Sequence, residues 1–180
     1  MTGSPLGPLA RRARVVLPAL LLVMVAMPGS PAKAADPGIE VGQPVPEFVL
    51  PGLDGKGVSF ERQIRGKAAL TLLFFMTTAC SACYEELREL DAFLARHPGK
   101  VDAWAVAVDL RGAKTVAPYQ KTNRFRVRYL IDPKFSLPRK FGFTYTPSLV
   151  IVSPRGVVLH KKGGYSADES IPDLMRAFLR

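Results

Sequence analysis

Hydrophobic positions along this chain fall into short runs that predict a series of β-strands. Residues 68–75 form an apolar run interrupted by Thr71 alone, and residues 101–108 are apolar except for Asp102; both runs are typical of strands that are buried on both faces. Shorter strand-like runs occupy residues 47–50, 57–60, 128–131, 148–153 and 157–162. Turn-forming residues join the first two short runs and the last two into β-hairpins.

Polar and apolar positions at helical spacing separate these strands. The spacing predicts helices at residues 81–97, 113–123, 134–141 and 168–180. The order is a hairpin, alternating strands and helices, a second hairpin and a final helix. This order predicts an α/β fold with a mixed central sheet flanked by helices and an N-terminal β-hairpin extension.

The N-terminal segment has the pattern of a secretory signal peptide. Basic residues at 11–14 precede an apolar run at 15–27, and Ala32-Lys33-Ala34 matches the small-x-small cleavage pattern. The apolar run is shorter than the roughly 20 residues that a membrane span needs. We therefore expect export with cleavage after Ala34; membrane contact is expected only if the segment stays uncleaved as an anchor.

The predicted organisation has three parts. Residues 1–34 are the signal peptide, residues 35–46 are an extended lead-in rich in Gly and Pro, and residues 47–180 are the folded domain. The formal net charge of +10 falls to about +6 without the basic residues of the first part. Because no dense basic block or basic stripe with aromatics is present, nucleic-acid binding is not expected.

The sequence contains two cysteines, Cys80 and Cys83. This C-x-x-C pair directly follows a predicted buried strand and opens a predicted helix. The free N–H groups and the positive dipole end of a helix N-terminus favour a thiolate at Cys80. Cys83 then lies one turn inward, within reach of the first sulfur. A loop this short constrains the unfolded chain little, so the pair is interpreted as redox-active rather than stabilising.

A metal site is the alternative use of two cysteines. A structural zinc site needs about four ligands, and only His97 and His160 are available to complete one. Nothing in the sequence places either histidine near the motif, so no metal site and no cofactor are predicted. Copper(I) binding by the two thiolates, with Met76 nearby in sequence, remains an alternative.

The chain resembles the thioredoxin superfamily and, within it, the exported TlpA/ResA-like thiol–disulfide oxidoreductases. The resemblance covers residues 45–179 and rests on the C-x-x-C, on Thr146-Pro147 before a strand, and on Gly163-Gly164 after the last hairpin. It implies a three-layer thioredoxin-like fold. It also implies that Pro147 is a cis-proline beside the cysteines, and that Thr146 offers its backbone to a bound substrate segment.

Three departures from this family bear on the chemistry. Ala79 replaces the usual Trp before the first cysteine, and Ala82 replaces the Pro that many members carry before the second. The intervening Ser81-Ala82 brings no positive charge, whereas strong oxidants of the superfamily often have His there. This difference favours a reductant.

The proton acceptor for Cys83 is not identified by the sequence. Thioredoxins carry a buried acid six residues before the first cysteine, where this chain has Phe74. Glu85, Glu86 and Asp109 are the candidates, although a solvated helix face explains both glutamates.

The sequence therefore predicts a periplasmic or otherwise extracytoplasmic disulfide reductase. Its expected partners are protein disulfides or dithiols, with apocytochrome c or a metal-site assembly protein as clients, and a membrane-bound electron donor. A thiol peroxidase is the second hypothesis, since Thr77 lies three residues before Cys80 as in peroxiredoxins. Leu73, however, stands where peroxiredoxins have Pro. A copper(I) chaperone is the third.

Overall fold

The apolar runs form a five-stranded mixed sheet and a separate hairpin. The computed structural model describes residues 38–166 and 168–179. The strands are β1 (Val49–Pro51), β2 (Gly57–Ser59), β3 (Leu70–Met76), β4 (Val101–Ala107), β5 (Arg128–Ile131), β6 (Ser148–Val152) and β7 (Val158–Gly163). The sheet has the order β5-β4-β3-β6-β7, and β1 pairs only with β2 in the hairpin.

The sheet is mixed because the two kinds of connection differ. β3, β4 and β5 are parallel and are joined through helices, whereas β6 is antiparallel to both β3 and β7. β3 therefore lies at the centre with a neighbour on each side. The predicted mixed sheet with an N-terminal hairpin extension is confirmed.

Helices cover both faces of this sheet. They are α1 (Ser81–Arg96), α2 (Ala113–Asn123), α3 (Ser136–Lys140) and α4 (Ile171–Phe178). Alternate side chains of β3 point to opposite faces: Leu72 and Phe74 pack with α1 and α4, whereas Leu73 and Phe75 pack with α3. Every residue of β3 is buried, which explains why the strand is apolar except for Thr71. The predicted three-layer thioredoxin-like arrangement is confirmed.

Among the element boundaries that differ from the sequence expectation, two have a clear local cause. The strand expected at residues 57–60 ends at Ser59, because Phe60–Ile64 form one π-helical turn that the sequence analysis did not predict. The Ser59 hydroxyl accepts the Arg62 N–H and fixes the start of this turn. The last helix begins at Ile171 rather than at residue 168, because Ser170 caps it by accepting the Asp173 N–H.

The described part of the lead-in, residues 38–46, is bonded to the domain. The Ile39 N–H donates to the Lys140 carbonyl, and the Gly42 N–H donates to the Val158 carbonyl, both at 2.8 Å. Val45 is buried in the core. The predicted signal peptide and its cleavage point lie outside the described residues. Within residues 38–166 and 168–179, no helix has the length and apolar character needed to cross a membrane.

Candidate dithiol–disulfide site

Cys80 and Cys83 lie where the central strand gives way to a helix. β3 ends at Met76, three loop residues follow, and Cys80 is the N-cap of α1. The two cysteines form a disulfide with their Cα atoms 5.2 Å apart. The structure thus brings the predicted pair together in its oxidised form.

The two sulfurs have different surroundings. Cys83 is fully buried, whereas Cys80 is half-buried at the surface end of the helix. The Cys80 Sγ accepts the Cys83 N–H at 3.0 Å, so a free N–H of the first helical turn points at this sulfur. In the reduced protein the same N–H and the helix dipole stabilise a thiolate at Cys80. The arrangement suits attack by Cys80 and resolution by Cys83.

Asp109 anchors the loop that carries Cys80. Its carboxylate accepts the Thr78 N–H at 3.1 and 3.2 Å and the Thr78 hydroxyl at 2.5 Å. Asp109 follows β4, which is parallel to β3, so the two loops leave the same edge of the sheet. Because this carboxylate is already hydrogen-bonded to Thr78, its role is to fix the position of the loop before Cys80.

Glu86 differs from the expectation of a solvated helix face. Glu85 is exposed, as that expectation requires, but Glu86 is buried, so the expectation is wrong for Glu86. Glu86 lies three residues after Cys83, one turn along the same side of α1. Its carboxylate accepts a hydrogen bond from the Lys162 ammonium at 3.1 Å. Burial raises the pKa of Glu86 above its usual range, and the hydrogen bond and charge of Lys162 act against that rise.

Lys162 was missed by the sequence reasoning. It lies in β7 and its side chain is buried beside Glu86. The preceding residue, Lys161, pairs instead with Glu40. Two adjacent lysines in a strand must point to opposite faces, and this alternation was the available signal that one of them is turned inward.

The Thr146–Pro147 peptide bond is cis, as the resemblance implied. Pro147 immediately precedes β6, whose first residue, Ser148, pairs with Phe75 near the end of β3. The segment before β6 and the loop carrying Cys80 therefore begin at the same edge of the sheet. The Pro147 carbonyl accepts the Gly164 N–H at 2.8 Å, which ties this segment to the end of β7.

The other residues considered as metal ligands lie on three different elements: His97 at the end of α1, Met76 in β3 and His160 in β7. His97 caps the far end of α1, about 24 Å from its start at 1.5 Å per residue. Met76 is fully buried in the core. Within residues 38–166 and 168–179, no group of three His, Cys, Asp or Glu side chains is placed to hold a metal ion.

Exposed apolar side chains cluster along the chain near the site residues, a feature that the sequence analysis did not note. The described residues include six exposed large hydrophobic side chains, and four of them neighbour site segments in sequence. These four are Tyr84, Leu110, Tyr145 and Tyr165. Leu110 is 90% exposed. Because removing exposed apolar surface from water is favourable, these side chains are suited to contact a partner.

A disulfide between the two cysteines of a C-x-x-C motif, at the start of a helix on a thioredoxin-like sheet, is the arrangement of a thiol–disulfide oxidoreductase. Residues 41–161 match the family model described as AhpC/TSA family. The chain belongs to the AhpC/TSA family.

Known relatives agree with this class. The chain is 23% identical over 130 residues to sporulation thiol-disulfide oxidoreductase A of Bacillus subtilis, an alignment that covers 70% of this chain and 76% of that protein. A candidate thiol:disulfide interchange protein DsbE from Chlorobium tepidum superposes with a TM-score of 0.69 at 21% identity, covering 79% of this chain and 100% of that chain.

A second similar structure comes from Mycobacterium tuberculosis. It is a secreted disulfide oxidoreductase homologous to E. coli DsbE, with a TM-score of 0.59 at 19% identity. The superposition covers 73% of this chain and 93% of that chain. At these identities the structural matches establish a shared fold.

Proposed function

We propose that this protein is exported and reduces disulfides of client proteins outside the cytoplasm. The observation that carries the proposal is the asymmetric Cys80–Cys83 pair, with one sulfur half-buried at the helix N-cap and the other fully buried. Only the outer sulfur is accessible to a protein-sized disulfide. Disulfides of apocytochrome c or of a metal-site assembly protein are the clients that the family resemblance implies.

The reaction proceeds in two exchange steps. The Cys80 thiolate attacks one sulfur of the client disulfide, forms a mixed disulfide and releases the other client sulfur as a thiolate. Cys83 then gives up its proton and its sulfur attacks Cys80, which releases the second client thiolate. The client gains two electrons and two protons, and the protein is left with the Cys80–Cys83 disulfide. A membrane-bound dithiol donor restores the reduced form.

Glu86 is the proposed proton acceptor in the second step. It is the buried carboxylate closest to Cys83 in sequence, one helical turn away. Neither of the other two candidates has this placement: Glu85 is exposed, and Asp109 is bonded to Thr78. Burial raises the pKa of Glu86, which brings it closer to that of a thiol and makes proton transfer easier.

Client binding is proposed at Thr146 and Pro147. This segment shares a sheet edge with the loop carrying Cys80, and the exposed Tyr145 precedes it directly. The Thr146 backbone is proposed to pair with an extended client segment around its cysteine. In a trapped complex we expect the Thr146 amide to exchange with solvent at least tenfold more slowly than in the free protein. An unchanged rate contradicts this role.

A trapping experiment tests the division of labour between the cysteines. The Cys83→Ser variant should capture clients as mixed disulfides on a non-reducing gel, because Cys80 can attack but nothing resolves the complex. The matched Cys80→Ser variant should capture nothing, because Cys83 is buried. Capture by Cys80→Ser alone reverses the assignment, and capture by neither variant contradicts the proposed function.

Two measurements test direction and location. A reduction potential of the pair near that of thioredoxin, about −270 mV, supports a reductant, and one near about −120 mV supports an oxidant. Export is supported by the signal-peptide pattern of residues 1–34 and by the secreted relative. N-terminal sequencing of the exported protein should begin at Ala35; a retained Arg11 contradicts cleavage.

Thiol peroxidase activity is the second candidate, and the AhpC/TSA match together with Thr77 favours it. Against it, Leu73 stands where peroxiredoxins have Pro, and it is fully buried within β3. Insulin reduction and hydrogen peroxide consumption, each driven by dithiothreitol, separate the two. We expect insulin reduction above the reagent background and no peroxide consumption above it; the opposite result replaces the reductase with the peroxidase.

A further inference from the structure

Glu86 and Lys162 form an ion pair inside the protein, between α1 and β7. The Lys162 Nζ lies 3.1 Å from the Glu86 Oε1, and the two side chains are only 6% and 4% exposed. Lys162 also donates to the Glu169 carbonyl at 2.7 Å. The free energy needed to remove two charged groups from water can exceed the attraction between them, so a buried ion pair by itself adds little to stability. The position of this pair, one helical turn from Cys83, points to a role in the exchange reaction.

The ion pair joins α1, which carries the dithiol, to β7, which supports the cis-proline segment. Glu86 is one helical turn from Cys83. Lys162 precedes Gly163, which pairs with Ser148 at the start of β6, and the next residue, Gly164, is bonded to Pro147. The ammonium is therefore attached to the strand that supports the cis-proline segment, and the carboxylate is attached to the helix that carries the dithiol.

We propose that Lys162 is a positioning residue for the exchange reaction: it holds Glu86 as a carboxylate one helical turn from Cys83, ready to take the Cys83 proton when the mixed disulfide resolves. This inference rests on the proposed function and deepens it. In the step concerned, the S–H bond of Cys83 breaks, its proton goes to Glu86, and the new S–S bond to Cys80 releases the client thiolate. Lys162 gains or loses no proton.

The charges around Glu86 explain why a cation is needed. Burial disfavours the carboxylate form, and Glu89 on the same helix adds a like charge that acts in the same direction. From β7, Lys162 supplies the opposing charge, and from the segment before α4, Glu169 faces the ammonium with its backbone carbonyl. Without the ammonium the pKa of Glu86 rises further, so less carboxylate is available near neutral pH.

The test uses Lys162→Met, with Lys161→Met as the matched control. Both variants remove one lysine charge from the same strand, but Lys161 pairs on the other face with the half-exposed Glu40. The probe is dithiobis(nitrobenzoate) added to the reduced full-length protein in a stopped-flow instrument. Attack by Cys80 releases one coloured thiolate, and resolution by Cys83 releases the second, so the two steps appear as separate phases.

We expect Lys162→Met to leave the first phase unchanged and to displace the pH profile of the second phase upward by about one unit, which slows this phase about tenfold on the acidic side of the profile. The second phase should recover as the pH rises. Glu86→Gln should slow the second phase without such recovery until Cys83 ionises by itself. Lys161→Met should match the wild type in both phases.

Three results overturn the inference. They are a second phase in Lys162→Met with the wild-type rate and pH profile, an equal effect from Lys161→Met, and a loss of stability with unchanged kinetics. If Lys162→Met does not fold, the wild type is compared with Glu86→Gln instead. Identical pH profiles of the second phase in these two proteins also overturn the inference. Failure of the proposed function looks different, because the wild type then reduces no insulin although both colour phases remain.

Discussion

The anchor between Asp109 and Thr78 allows a quantitative test of how the loop before Cys80 is held. Asp109→Ala removes an acceptor from two donors, the Thr78 N–H and the Thr78 hydroxyl. A hydrogen bond to a charged group contributes about 1.5–3 kcal/mol when buried, and both residues here are half-buried, so water replaces part of it. We therefore expect Asp109→Ala to lower the free energy of unfolding by about 2 kcal/mol.

Thr78→Val provides the matched comparison because it removes the hydroxyl bond and keeps the backbone bond. It should cost about 1 kcal/mol. The double variant should cost less than the sum of the two, since the residues share a bond. Urea unfolding followed by the fluorescence of Trp104, the single tryptophan of the chain and a buried residue of β4, measures all three values.

Two outcomes refute this reasoning. One is strict additivity of the two substitutions, which indicates that they act independently. The other is a cost for Asp109→Ala below about 0.5 kcal/mol, the range of ordinary surface substitutions. A further expectation is functional: the Asp109→Ala variant should reduce insulin more slowly than Thr78→Val, because the loop before Cys80 loses both of its bonds to the carboxylate.

Three further predictions concern stability. Because the pKa of Glu86 is raised in the folded protein, the contribution of this group to the free energy of unfolding is fully present below about pH 4.5 and is lost as the pH rises through the folded pKa. The difference in stability between the wild type and Glu86→Gln should therefore narrow from about pH 4 to about pH 8. A difference that widens contradicts the direction of the pKa shift. Phe93→Ala, at a fully buried position, should cost about 3–5 kcal/mol in urea unfolding, and Leu110→Ala, at a 90% exposed one, should be nearly neutral. Gly156→Ala should lower the free energy of unfolding by about 1–2 kcal/mol, because the φ of Gly156 is +80°. The cost should be slightly larger than that of Gly55→Ala, because Gly55 has a similar φ but open space around it. Equal or reversed costs contradict a contribution from steric contact at Gly156.

The sheet and the cysteine motif could be predicted because their signals are local. Predominantly apolar runs identified β3 and β4 as strands buried on both faces, and the C-x-x-C at a strand–helix junction identified the cysteine pair. The resemblance supplied the cis peptide bond at Pro147, which composition and spacing do not reveal. These features depend on short stretches of sequence or on a recognised motif.

The Glu86–Lys162 pair could not be predicted because it depends on contacts between distant segments. Glu86 stands among charged residues on α1, and the apolar stripe of Leu87 and Leu90 does not by itself say whether position 86 faces water or β7. Lys162 lies 76 positions away, and the register of β7 decides whether it or Lys161 points inward. The π-helical turn at Phe60–Ile64 was missed for a related reason: a buried Phe at the end of a strand-like run looks like one more strand residue.

The central place of β3 has a consequence for the order in which the protein opens. β3 is bonded on one side to β4 and on the other to β6, and all of its side chains are buried. Its amides should therefore exchange hydrogen for deuterium only through global unfolding, whereas the outer strands β5 and β7 can fray separately. The reactive cysteines follow the end of β3 after three loop residues. Client binding or a higher temperature can open the edges of the sheet partially. Such opening leaves the strand that supports the cysteines folded.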